Sequence, residues 1–221
     1  MIINHEMTVS KEIIKLFQSH RYEQHIFNLM KKSNVVFPGE YEIVQEQSHG
    51  ECDFIEKNTG EKYDAKLPFL SEQIKLLTTG KKHTPQIQEW IKEMQEEATD
   101  FDVFAIRENG YDITKTKLYS IMKNAILKDK SDENIIFFFP FPIVISIEGS
   151  IFSQFPTDYL KAICNKLRED EDLDGRNIFA IYPSMRKNEF VIRNLGTNNR
   201  ESVVCNELEK YFSIELVGIK K

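Results

Sequence analysis

The chain of 221 residues has no apolar run long enough to cross a bilayer. A spanning helix needs about 20 consecutive apolar residues. The greasiest stretch, Ile135 to Ile147, is broken by Pro140 and Pro142, so it reads as buried strands. The first residues, MIINHEMTVSKEIIKLF, lack an apolar segment followed by a small-residue cleavage site, so no export signal is expected. Cysteine is scarce. Cys52, Cys164 and Cys205 are odd in number, far apart and without a CxxC pair. That excludes a disulfide framework and fits a reduced protein with buried thiols. The expectation is a cytoplasmic protein with no membrane partner. Basic residues are in deficit: Lys plus Arg is 29 against 35 for Asp plus Glu, a net charge of −6. This excludes a wholly basic nucleic-acid coat protein but not a local basic site. GxSxG, GxxxxGKS/T, GxGxxG and HExxH are all absent. Nucleophile-elbow hydrolases, P-loop NTPases, dinucleotide-binding proteins and zinc hydrolases are therefore unsupported. No internal repeat and no low-complexity linker divides the chain.

With 41% hydrophobic and 29% charged residues, the chain can bury a core without metal or disulfide staples. The apolar spacing from Ser10 to Lys32 predicts a helix, bending near His20. Tyr41 to Val44 is a short strand after Pro38-Gly39. Glu51 to Ile55 and Glu61 to Leu67 predict two strands about the turn Asn58-Thr59-Gly60. Helices are expected over Leu70–Leu77 and Pro85–Ala98, a strand over Phe101–Ile106, and a helix over Thr114–Leu127. Ile135–Phe139 and Ile143–Ile147 are β-rich. A helix follows Pro156 over Thr157–Arg168. Ile178–Tyr182 and Phe190–Arg193 predict a hairpin. Ser202–Tyr211 is expected as a helix and Ile214–Val217 as a strand. The alternation argues for an α/β sandwich, helices covering a mixed sheet.

The segment that carries chemistry is GECDFIEKNTGEKYDAKLPF, residues 50 to 69. Asp53 lies on the first strand. Asp64 and Lys66 lie two apart on the second, so they share a face, opposite Tyr63, Ala65 and Leu67. A two-residue loop would put Asp53 directly across from Asp64. A three-residue loop would slip the register and part them, unless a bulge restores it. Two facing carboxylates repel unless compensated. A divalent cation is the obvious compensation, and hard oxygen ligands suit Mg²⁺ or Mn²⁺. Such a cation polarises a phosphoryl oxygen and lowers the pKa of a bound water, and a nearby lysine stabilises the charge that develops.

These residues resemble the active-site signature of the PD-(D/E)XK nuclease superfamily, the restriction-endonuclease-like fold. Asp53 matches the first acid, at the start of the second core strand. Asp64 and Lys66 match the (D/E)XK element on the third strand. Cys52 stands where the named motif has proline. The resemblance implies a restriction-endonuclease-like three-layer sandwich with a mixed β-sheet flanked by helices. The whole chain, 1–221, is then a single domain: a nuclease-like core over about 10–110 and a C-terminal βαββαβ extension over about 131–221. It implies Mg²⁺-dependent hydrolysis of DNA or, less often, RNA. Many members add a glutamate from the first helix. Glu23, which shares the face of Ile26, Phe27 and Met30, is the best match, with Glu12 as the alternative. Gln73 corresponds loosely to a glutamine that some members place on the helix after the lysine strand.

Lys81-Lys82-His83 could contact the phosphate backbone if its loop lies near the hairpin. Other short basic runs are Lys31-Lys32, Lys115 with Lys117, and Arg186-Lys187. Double-strand cutting by a single-site enzyme would favour a homodimer. Two rivals stand beside the nuclease. One is a non-catalytic nucleic-acid- or protein-binding module on the same fold. The other is an interaction protein whose hairpin charges are solvated and incidental. Residues 170–175 begin like a calcium loop, but Ile181 sits where the closing glutamate belongs. His20 and His25, five apart and without HExxH, read as surface or helix-face residues, and Trp90, at helical spacing with Ile87, Ile91 and Met94, reads as core.

Overall fold

A computed structural model describes residues 2–9, 21–44, 52–68, 89, 112–128, 134–139, 145–147, 150–152, 157–169, 176–184, 188–197, 199–205 and 212–220. In chain order the elements are β1 (Ile2–Val9), α1 (Arg21–Met30), β2 (Tyr41–Ile43), β3 (Phe54–Glu56), β4 (Lys62–Lys66), a 3₁₀ turn (Ile113–Lys115), and α2 (Lys117–Lys128). Then follow β5 (Asn134–Phe138), β6 (Ile145–Ile147), β7 (Ser150–Phe152), α3 (Thr157–Arg168), β8 (Ile178–Ser184), β9 (Glu189–Asn194), β10 (Arg200–Val204) and β11 (Phe212–Lys220).

Seven strands form one mixed sheet in the order β10-β9-β8-β5-β4-β3-β2. β4, β5 and β8 run parallel, and the remaining neighbours are antiparallel. β1 and β11 pair antiparallel, as do β6 and β7. β5 lies at the centre of the sheet. Ile135 to Phe139 are each 0% exposed, as a continuous apolar run between two parallel neighbours should be. Burial on both faces means that both are covered.

Ring contacts put α1 on one of those faces. Phe27 stacks on Phe54, and His25 meets Phe138 and Phe190 with centroids 5.7 and 5.2 Å away. The same face holds an aromatic cluster in which Phe37 meets Tyr41, Tyr63 and Phe179. The register puts Asp64 and Lys66 on the other face, with Ile135 and Phe137. The parallel crossovers β4-to-β5 and β5-to-β8 contain α2 and α3, which the usual right-handed hand lays on a single face.

Glu201 on the edge strand β10 ties the chain back to the end of α1. Its carboxylate accepts from Ser33 Oγ at 2.6 Å and from the N–H groups of Asn34 and Val35 at 3.1 and 2.9 Å. Burial raises its pKa, but these hydrogen bonds outweigh that and hold it below the ordinary value.

One expected element is wrong in part. Arg200–Val204 is a strand paired with β9, so the helix expected from Ser202 does not begin there. Val203 and Val204 are β-branched and fit a ladder next to a formed hairpin better than a first helical turn. The expected helix over 10–32 is described from Arg21. Of residues 70–77, 85–98 and 101–106, only Glu89, exposed and helical, is among the described residues. Trp90 and residues 170–175 lie outside them.

Candidate functional site

The hairpin that carries the signature settles its register with a bulge. Lys57, Asn58 and Thr59 form a three-residue turn. Gly60 follows with φ +74°. Its N–H donates to the Glu56 carbonyl, while the Glu56 N–H donates to the Glu61 carbonyl, both at 2.9 Å. Gly60 and Glu61 together therefore oppose the single residue Glu56, a bulge with glycine in the left-handed region. The extra residue restores the register that an odd loop would have slipped. Phe54 pairs with Tyr63 and Ile55 with Lys62.

Glu56 braces this turn from inside. Its carboxylate accepts the N–H groups of Glu40, Asn58 and Thr59 and the Asn58 side-chain amide. Hydrogen bonds from Thr59, the largest effect, and from Asn58 and Glu40 push its pKa down to about 2.

The ladder stops at Phe54, and Asp53 is held differently from a straight continuation. Its N–H donates to the Tyr63 carbonyl at 3.0 Å. Its Oδ2 accepts the Ala65 N–H at 2.7 Å. In an unbroken ladder that N–H would go to the Cys52 carbonyl. The carboxylate of Asp53 thus stands in for a backbone acceptor, instead of forming a direct ladder partner to Asp64. Asp53 is 7% exposed and Asp64 9%.

Asp64 and Lys66 share a face as expected, and their side chains form an ion pair. Tyr63, Ala65 and Leu67 on the opposite side are all buried in the core.

Glu23, expected as the fourth member of the site, lies in the first turn of α1. Glu23 is partly buried, as is Tyr22 before it. The Tyr22 hydroxyl donates to the Glu23 carboxylate. Burial, first, and then the negative charges of Glu23, Asp53 and Asp64 hold the Tyr22 pKa well above its ordinary value. Asp53, Asp64 and Lys66 lie together on the β3–β4 hairpin, with Asp53 bonded to the Ala65 N–H and Asp64 paired with Lys66. Among the described residues, no group of three or more His, Cys, Asp or Glu side chains is arranged to hold a metal ion.

Gln73, Lys81, Lys82 and His83 lie outside the described residues. Lys31 is exposed at the end of α1, its ammonium 5.5 Å from the centre of the Phe27 ring. Tyr22 and the backbone role of Asp53 escaped the sequence reading. A tyrosine beside Glu23 at helical spacing looks like core, and a carboxylate that replaces a ladder carbonyl leaves no spacing signal. Among the described residues, no helix is long and apolar enough to cross a membrane. No family model, curated protein or solved structure matches the chain.

Proposed function

We propose that this chain is a metal-dependent nuclease on a restriction-endonuclease-like fold, hydrolysing phosphodiester bonds in DNA, with RNA as the less favoured substrate. One observation carries the reading: Asp53, pinned by the Ala65 N–H, lies beside the strand on which Asp64 and Lys66 share a face and form an ion pair. The order of elements adds support. A helix leads into the antiparallel strands β2, β3 and β4, with Asp53 just before the second and Asp64-Ala65-Lys66 on the third.

The donor set fits Mg²⁺ or Mn²⁺. All three acids offer hard oxygen, and Mg²⁺ is usually held by one or two carboxylates, completing its shell with water and substrate phosphate. A cage built wholly from protein would need more ligands than these residues gather. Asp53 and Asp64 would hold the cation, with Glu23 beside them. When bound, it polarises a phosphoryl oxygen and lowers the pKa of a water. Asp64 holds the Lys66 ammonium in position. Lys66 orients the attacking water and stabilises the negative charge that grows on the phosphate as the bond to the leaving sugar oxygen breaks. Tyr22 fixes the orientation of Glu23. A homodimer would supply two such sites for cutting both strands.

The test is an incubation of plasmid, linear and single-stranded DNA, and of RNA, with Mg²⁺, Mn²⁺ or EDTA. The reading expects cleavage that needs the divalent ion and stops in EDTA. Cleavage that persists in EDTA, or none with any substrate, contradicts it.

A binding module on the same fold is the second reading. It is favoured by the partners the acids already have inside the protein, Ala65 N–H for Asp53 and Lys66 for Asp64. It expects nucleic-acid binding without cleavage.

A further inference from the structure

Strands β9 and β10 set two arginines against each other. Arg193 pairs directly with Arg200, so both side chains leave the same face of the sheet. The row they belong to runs back across the sheet to the candidate site. Arg193 is level with Ala180, Ala180 with Phe137, and Phe137 with Lys66. The two arginines therefore share the face of Lys66. Adjacent strands lie about 4.8 Å apart, which puts β9 roughly 14 Å from β4.

A third guanidinium lies at the loop that joins these two strands. Arg168, in the last turn of α3, lies against Gly196 in the loop that links β9 to β10. It comes so close that a Cβ at position 196 would overlap it. Two features set this group apart from ordinary surface arginines. Arg193 is only 8% exposed, and its Nε–H is buried with no hydrogen-bond partner among the described residues. None of the ion pairs among the described residues includes Arg168, Arg193 or Arg200.

Like charges directly across a ladder are destabilising. A buried donor without an acceptor is costly too. A protein that keeps both in one place gains from an anion that answers them. The planar fork of arginine matches a phosphate group, with two parallel N–H···O bonds and no proton to lose.

We propose that Arg168, Arg193 and Arg200 form a phosphate-binding site that grips the backbone of the nucleic acid entering the Asp53–Lys66 site. The proposal rests on the nuclease reading for its substrate. At 3.4 Å of axial rise per nucleotide, the separation corresponds to about four base steps. Contacts of this kind set the register of the strand and read no sequence.

The test is the binding of a fluorescein-labelled duplex oligonucleotide, followed by anisotropy in EDTA across a salt series, so that cleavage plays no part. Wild type is compared with Arg200→Gln and Arg193→Gln. Arg200 is exposed, so its variant keeps the fold even if loss of Arg193 does not. Each variant should bind roughly tenfold more weakly, with the slope of log K on log salt smaller by about 1. Wild-type affinity and slope in Arg200→Gln would overturn the proposal. They would mean that the cluster takes no part in holding the nucleic acid. Inorganic phosphate is the second probe. If it raises the melting temperature of wild type over chloride at equal ionic strength, while oligonucleotide binding ignores both arginines, the site serves a free anion and the proposal fails. Because binding is read without metal, failure of the nuclease chemistry at Lys66 would not be mistaken for failure of this site.

Discussion

The Ala65 N–H donates to Asp53 Oδ2 at 2.7 Å, and this bond pins the first acid beside the strand that carries Asp64 and Lys66. It gives Asp53 two separable duties, closing the β3–β4 ladder and presenting negative charge.

Asp53→Asn and Asp53→Ala should therefore part company. Asparagine keeps an oxygen for the Ala65 N–H and loses the charge. The Asn protein should unfold in urea close to wild type but lose divalent-dependent cleavage. The Ala protein leaves a buried N–H unanswered, a cost of about 1–3 kcal/mol, and should lose stability along with activity. Equal destabilisation of the two variants would show that the hydrogen bond is not the stabilising element.

Gly60 makes the register possible. At φ +74° with open space around it, its replacement by alanine meets no neighbour, only the backbone penalty of the left-handed region. The expected loss is about 1–2 kcal/mol, read from urea denaturation. A neutral Gly60→Ala would mean that the turn adopts another form.

Glu56 predicts a pH signature. Its carboxyl is pushed from an ordinary value of 4.5 down to about 2 in the folded protein. A depressed folded pKa means that the folded state prefers the ionised form. The stability from Glu56 is thus fully present above about pH 4.5 and is lost as pH falls towards 2. Urea midpoints measured from pH 6 to pH 2 should fall less steeply in Glu56→Gln than in wild type. Parallel curves would remove Glu56 from the acid response.

Tyr22→Phe deletes the hydroxyl that holds Glu23 and leaves the ring packing in place. Supporting residues of this kind typically cost 10-fold or more in metal affinity or activity. Titration of cleavage with Mg²⁺ should show a midpoint about 10-fold higher in the variant. An unchanged midpoint would make Tyr22 a packing residue only.

Much of the hairpin was legible because its signals are local. Asn58-Thr59-Gly60 marked the turn, alternation put Asp64 and Lys66 on one face, and the run from Ile135 read as a buried strand. The need for a bulge if the loop were odd could also be stated in advance, since strand periodicity is strict. What stayed hidden depends on distant partners. The clasp between Glu201 and Ser33 joins residues 168 apart, and no spacing rule reports it. The Arg193–Arg200 pair required β10, which was hidden by reading residues from Ser202 onward as a helix. Tyr22 could not be told from core, because the charges of Asp53 and Asp64 act on it only in the folded chain.

The central claim is that Lys66, held by Asp64, belongs to a divalent-dependent phosphodiesterase site. It is tested most directly by comparing wild type and Lys66→Ala purified side by side. Plasmid cleavage would be followed with Mg²⁺ and with EDTA, and folding checked by thermal unfolding. The account predicts cleavage by wild type with Mg²⁺, none in EDTA, and a folded variant slower by at least about 100-fold, the scale lost when a group that stabilises developing charge is removed. Equal cleavage by the two proteins would contradict it.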